Sequence, residues 1–230
     1  SAAAATPKYT VYSATLTPDR STSCLGGSVD DRDMVVPEGI DPEVFREFTR
    51  AQRLLCIALA PCLASLRDAR RVMCFVGATA DGFDDQDAVS SLRLAGVDPT
   101  DPRVDQRMDS ARSALEEPFD AVREVFDRMV RPGLEIVLVD AACASSLYSV
   151  ALGMHALETN QADAVIAGGV FCPGPGTGCL FSQFRATTAT MCRPFDAQAD
   201  GVVFSEGAAV VTLRRLADAR RLGLPIDAVV

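Results

Sequence analysis

The chain has 230 residues, 48% of them hydrophobic, no tryptophan and a formal net charge of −9. That length can bury a substantial core in one large domain or two small ones. The acidic balance argues against nucleic acid as partner, no apolar run reaches the roughly 18 residues of a membrane span, and the start, SAAAATPKYT, lacks the basic and apolar regions of a secretory signal.

In chain order, Tyr9 to Leu16 reads as a first strand, followed by a Gly- and Asp-rich loop through Gly39. Asp41 and Pro42 open a helix as N-cap and first-turn proline. Its apolar face carries Phe45, Phe48, Leu54, Leu55, Ile57, Ala58 and Leu63, and Pro61 kinks it or ends its first section. Arg71 to Gly77 is the next buried strand. Asp81 to Asp87 has several carboxylates but neither the spacing nor the closing glutamate of an EF-hand, so it reads as a solvated acidic loop. Helical spacing recurs at Val104, Met108, Ala111, Leu115, Val122, Val125 and Phe126, interrupted by Pro118.

The stretch from Leu134 to Val170 carries the chemistry. Ile136 to Val139 is a short, β-branched apolar run, as in a strand buried on both faces. Asp140 stops it, and small residues surround one thiol, Cys143. From Ser145 the spacing of Leu147, Val150, Ala151, Met154 and Leu157 is helical, Asn160 ends the helix, and Ala164 to Ala167 forms another buried strand before Gly168 and Gly169. Cys143 thus stands at a helix N-terminus. Unpaired N–H groups and the helix dipole there favour a thiolate, and the same N–H groups suit the oxyanion formed when it attacks a thioester. Position alone leaves open the alternative of a buried, inert cysteine packing as a small hydrophobe.

The remaining candidates read as structure. The eight cysteines, at 24, 56, 62, 74, 143, 172, 179 and 192, form no Cys-x-x-Cys pair, and with one histidine no mixed zinc site is expected. Cys56, Cys62 and Cys74 sit in apolar runs and are expected to be buried, in a reduced, cytoplasmic protein. Cys172 to Cys179 has Gly-x-Gly-x-Gly spacing, but two prolines remove N–H donors and no Lys-Ser/Thr follows, so a structural turn is expected rather than a phosphate loop. Gly207 to Leu213 is an apolar strand, Leu216 to Leu222 a short basic helix ended by Gly223, and Pro225 onward starts another strand.

Val139-Asp140-Ala141-Ala142-Cys143-Ala144-Ser145-Ser146-Leu147 resembles the active-site signature of β-ketoacyl synthases. A second block agrees. Arg193-Pro194-Phe195-Asp196, then Asp200-Gly201, then Glu206-Gly207-Ala208 is similar to the family's RPFD-x-x-x-DG-x-x-x-x-EGA run. The likeness is tight from about Leu134 to Ile226, and its flavour is that of iterative and polyunsaturated-fatty-acid-type enzymes. Arg53-Leu54-Leu55 is a weak echo of a helix motif around an arginine. Two features depart from the family pattern: the Asn-Arg-x-Ser-like turn is absent near residues 124–127, and Thr187 to Thr190 replaces a glycine step.

The resemblance implies an α/β chain, the N-terminal half of a thiolase-like fold, layered around a largely parallel five-stranded sheet. Residues 1–230 would then hold the first repeat plus the opening strand of the second. It implies Cys143 as the nucleophile that takes an acyl group, with its own N–H in the oxyanion hole. Asp196, Asp200 and Glu206 are expected to fix loops through structural hydrogen bonds. Gly168 and Gly169 are expected to permit close packing near the strand that pairs across the dimer in relatives. Decarboxylative condensation in the family also needs two histidines, from motifs resembling HGTGT and a later Gly-His, and neither motif occurs here. The single histidine, His155, lies twelve residues after Cys143, about 18 Å along a helix axis and rotated by about 120°.

Three functions follow. The first is a split ketosynthase whose complementary C-terminal-half chain brings the histidines, assembled as a dimer of heterodimers. The exposed central layer of a half fold would demand such a partner. The second is an acyl transferase without condensation, and the third a non-catalytic scaffold or binding subunit. The implied substrates are phosphopantetheine-linked acyl groups on an acyl carrier protein. The chain's negative charge requires a local cluster of arginines at any face that docks an acidic carrier. No cofactor or metal of its own is expected.

Overall fold

In the computed structural model, residues 26–66, 68–79, 117–173 and 175–230 are described. The expected strand at Tyr9 to Leu16, the acidic loop at residues 81–87 and the helical spacing through Leu115 lie outside them. The centre is a four-stranded sheet in the order β3 (Glu135–Val139), β2 (Val72–Gly77), β4 (Ala164–Phe171), β6 (Gly207–Leu213). Strand β2 runs parallel to both β3 and β4, and β6 closes the edge antiparallel to β4. Two short segments, β1 (Gly26–Gly27) and β5 (Phe204–Ser205), pair in parallel beside it. The sheet is therefore largely parallel as expected, but has four strands among the described residues rather than five, and Pro225–Val230 has no strand pairing.

All six residues of β2 are buried, because alternate side chains enter two cores. Val72, Cys74, Val76, Ile136, Ala164 and Ile166 point into one cluster with α1 (Pro42–Glu47), α2 (Arg50–Leu59) and α3 (Glu117–Met129). Met73, Phe75, Val139, Val165 and Ala167 face the other way, against Ala156 and Leu157 of α4 (Ser145–Glu158). The result is a layered α/β/α arrangement.

The helix opened by Asp41 does not continue to Pro61. It breaks after Glu47, and Thr49 starts α2 with a reciprocal cap: the Thr49 hydroxyl accepts from the Gln52 N–H and the Gln52 side chain accepts from the Thr49 N–H. Arg53 makes the break tolerable by donating to the carbonyls of Phe45 (3.1 Å) and Arg46 (2.7 Å), which the ended helix leaves unpaired. Pro61 falls in the 3₁₀ segment Ala60–Leu66 that follows α2. Pro118 is the second residue of α3, and the residues before Glu117 that the expected interruption concerns lie outside the described ones. The expected turn at Cys172–Cys179 becomes a helix, α5 (Pro175–Gln183), with proline at its first position. The expected caps hold elsewhere: Asn160 adopts φ 60° after α4, and Gly223 φ 65° after α6 (Leu216–Leu222).

Candidate functional site

The carboxyl ends of the three parallel strands stand level, with Gly77 of β2 registered against both Val139 of β3 and Gly169 of β4. In open parallel sheets this edge is where ligands bind. The chain leaves β3 at Val139, makes a one-turn 3₁₀ helix over Ala142–Ala144 and enters α4 at Ser145. Cys143 lies in that turn and is exposed.

The turn rests on Ala142, an alanine held at φ 50°. A left-handed conformation costs a non-glycine residue about 1 kcal/mol, so it persists only where neighbours enforce it. Three side-chain hydrogen bonds do so. The Asp140 carboxylate accepts from the Ala142 N–H at 3.1 Å. The Ser145 hydroxyl accepts from the Ala141 N–H at 2.9 Å and donates to the Ala142 carbonyl at 2.7 Å. The backbone adds a bond from the Ala144 N–H to the Ala141 carbonyl at 3.1 Å. Two glycines let α4 settle onto the strand ends. A Cβ on Gly77 would stand 2.8 Å from the Ser145 Cβ, and one on Gly169 would stand 3.0 Å from the Gly77 carbonyl oxygen. Farther along α4, a Cβ on Gly153 would meet Val165 at 2.7 Å.

Helix α4 is apolar on both sides. Its inner side, Gly153, Ala156 and Leu157, packs on the sheet, while Leu147 (73% exposed), Tyr148 (57%), Ala151 and Leu152 face solvent. A helix hydrophobic all round is suited to burial between two layers. His155 is exposed in the last turn of α4, the opposite end from Cys143.

The second motif splits into two environments. Asp196 accepts from the Gln198 N–H at 2.7 Å in a surface turn, and Asp200 is exposed. Glu206 is buried. It receives the Arg50 guanidinium bidentately (2.6 and 2.7 Å) and the Val29 N–H at 2.8 Å, tying β5–β6 to α2. Gly201 is closely packed, since a Cβ there would stand 2.6 Å from the backbone of both Thr187 and Thr188. The loop closes by reciprocal bonds between Val202 and Ala186 and Thr188. Asp196 and Glu206 thus have the expected structural hydrogen bonds. Gly168 packs within the sheet, where its Cβ would meet the Ala209 carbonyl at 2.1 Å, and Gly169 meets Gly77.

Among the described residues, Cys56, Cys62, Cys74, Cys143, Cys172 and Cys192 take part in no disulfide. Burial pushes the Cys56 and Cys74 thiols up to about 12, so both are inert packing groups. Cys62 is half-buried, and Cys143 and Cys192 are exposed. Among the described residues no His, Cys, Asp and Glu groups are arranged to hold a metal, and no helix is long and apolar enough to cross a membrane. The turn's supports, Asp140, Ser145 and Gly77, are the residues of this site that sequence reasoning missed. The only local signal was a short polar side chain on either side of Ala141–Ala144.

Comparison with known proteins places the turn inside a recognised segment. Residues 135–219 match the β-ketoacyl synthase, N-terminal domain. The chain is 46% identical over 96 residues to the phenolphthiocerol synthesis polyketide synthase type I Pks15/1 of Mycobacterium bovis, covering 41% of this chain and 4% of that protein. It is 43% identical over 102 residues to the mycoketide-CoA synthase of Mycobacterium tuberculosis, covering 43% of this chain and 2% of that protein. Among solved structures, the ishigamide ketosynthase/chain length factor superposes with a TM-score of 0.63 at 26% identity, covering 83% of this chain and 47% of that one. The chain therefore spans a small fraction of the curated relatives and about half of this solved neighbour.

Proposed function

From the premise that residues 135–219 are of the β-ketoacyl synthase N-terminal type, we propose that this chain is the nucleophile-bearing half of a split polyketide or fatty-acid ketosynthase. Cys143 accepts an acyl group from a phosphopantetheine thioester on an acyl carrier protein. Its thiolate attacks the thioester carbonyl, backbone N–H groups of the turn stabilise the oxyanion, and the carrier thiol leaves as the acyl–Cys143 bond forms. Loss of carbon dioxide from a carrier-bound malonyl group then gives an enolate that attacks the acyl carbon and releases Cys143. The two histidines that stabilise the enolate come from outside these 230 residues, on a complementary chain, with two such pairs assembling in the cytoplasm.

The observation that carries this reading is Cys143 itself, exposed on a strained, hydrogen-bonded turn at the carboxyl edge of parallel strands. The partner rests on a different observation, the outward apolar side of α4, and a ketosynthase/chain length factor is among the solved relatives. The test is acylation of the full chain by an acyl thioester, alone and with a chain carrying the family's histidine motifs, followed by peptide mass mapping. Cys143→Ala abolishes the acylated peptide and leaves the thermal unfolding midpoint unchanged. Acylation that persists in that variant removes Cys143 from the assignment. Acylation without condensation, even with the complementary chain, makes the protein an acyl transferase. No acylation with intact binding makes it a scaffold.

A further inference from the structure

We propose that Ser145 is a positioning residue whose hydroxyl holds Ala142 in the left-handed conformation that presents Cys143 to solvent. The inference deepens the reading of Cys143 as acyl acceptor and names what aims it.

Ser145 begins α4, yet its hydroxyl bonds none of the helix's own N–H groups at that end. It reaches back to the Ala141 N–H and the Ala142 carbonyl, one in the peptide before Ala141 and the other in the peptide after Ala142, so its two bonds span the strained φ. It is also held against motion. Its side chain is buried beneath the strand ends, where even a Cβ on Gly77 would collide with it. The hydroxyl is therefore a fixed post, and the turn is pinned to it rather than the reverse. Asp140 supports the same peptide from the strand side through the Ala142 N–H, so both polar groups of Ala142 are engaged by side chains while the residue itself, like Cys143, is exposed. Without the hydroxyl, Ala142 can relax to the right-handed region that alanine prefers, and Cys143 turns with it.

Glycine adopts positive φ without the steric cost, which makes the proposal specific. The experiment follows iodoacetamide alkylation of Cys143 across pH by peptide mass mapping, with exposed Cys192 as internal reference, and in parallel Cys143 acylation by a saturating acyl thioester. Ser145→Ala lowers Cys143 alkylation and the maximal acylation rate about tenfold each and leaves Cys192 unchanged. Adding Ala142→Gly to Ser145→Ala restores both Cys143 rates to within about threefold of the parent. Parent rates in Ser145→Ala, or a loss that Ala142→Gly does not restore, overturn the proposal. Should Ser145→Ala fail to fold, Ala142→Val loads the same turn at an exposed position with Ser145 intact. It must slow Cys143 alkylation about tenfold, and a parent rate there overturns the proposal equally. Alkylation reports the turn and acylation the function, so a parent protein that alkylates but never acylates refutes the acyl-acceptor reading while this one is still decided by the alkylation series.

Discussion

The two faces of the central sheet are built from the same strands yet end differently. One face buries Cys74, Val76, Ile136 and Ile166 beneath α1, α2 and α3, and its cover turns outward through charged residues such as Glu43, Arg46, Glu47 and Arg128. The other buries Phe75, Val139, Val165 and Ala167 beneath α4, the one helix over it among the described residues, whose outward side is Leu147, Tyr148, Ala151 and Leu152. The first face is finished against water. Among the described residues the second stops one layer short, and the layer that stops is the helix carrying the candidate nucleophile. The same small residues that seat this helix, Gly77, Gly153 and Gly169, bring its first turn down onto the strand ends, so the packing that leaves the face unfinished also sets Cys143 in place.

That contrast can be broken by substitution. Ile166→Ala, at a side chain with 0% exposure in the finished core, lowers stability by about 2–5 kcal/mol through lost burial and a residual cavity; urea unfolding measures it, and a loss below 1 kcal/mol contradicts a closed core. Leu147→Ser on the unfinished side changes stability by no more than about 0.5 kcal/mol, because the side chain is already in water. It weakens capture of a complementary chain about tenfold, close to 1.4 kcal/mol, read by titration calorimetry. Equal affinity in parent and variant would mean that this side of α4 is no interface.

The smallest effect belongs to Asp163, just before β4. Hydrogen bonds from the Arg71 side chain and N–H, with Arg215 nearby, hold its carboxyl down at about 2. A carboxylate whose folded value lies below its unfolded 3.8 stabilises the fold fully above that value and loses the contribution as pH falls towards 2. Asp163 is partly solvated, so salt screens the effect. Asp163→Asn should flatten the acid limb of the stability curve between pH 4 and 2 only slightly, and more at low salt than at high salt.

Much of this architecture is legible in local pattern. The β-branched run at Ile136–Val139 and the shift to helical spacing at Ser145 are short-range signals, and both elements form within one residue of the reading. Asp41 and Gly223 are read the same way because caps act on their own helix. The break at Thr49 is harder to see, since Arg53 must first satisfy two carbonyls across the bend. Glu206 was legible as a structural carboxylate, but its partner Arg50 lies 156 residues away, and only the folded chain brings the two together.

The sequence by itself determined the strand–turn–helix–strand unit, the identity of the thiol in the turn and the two blocks shared with ketosynthases, because each is written in contiguous residues. Tertiary structure alone decided which helix is left half-covered, which backbone position is strained and what restrains it. The bonds that restrain Ala142 are local, but burial and the seating of Ser145 beneath Gly77 depend on segments far apart in the chain meeting at the carboxyl edge of one sheet, and no local spacing encodes that meeting.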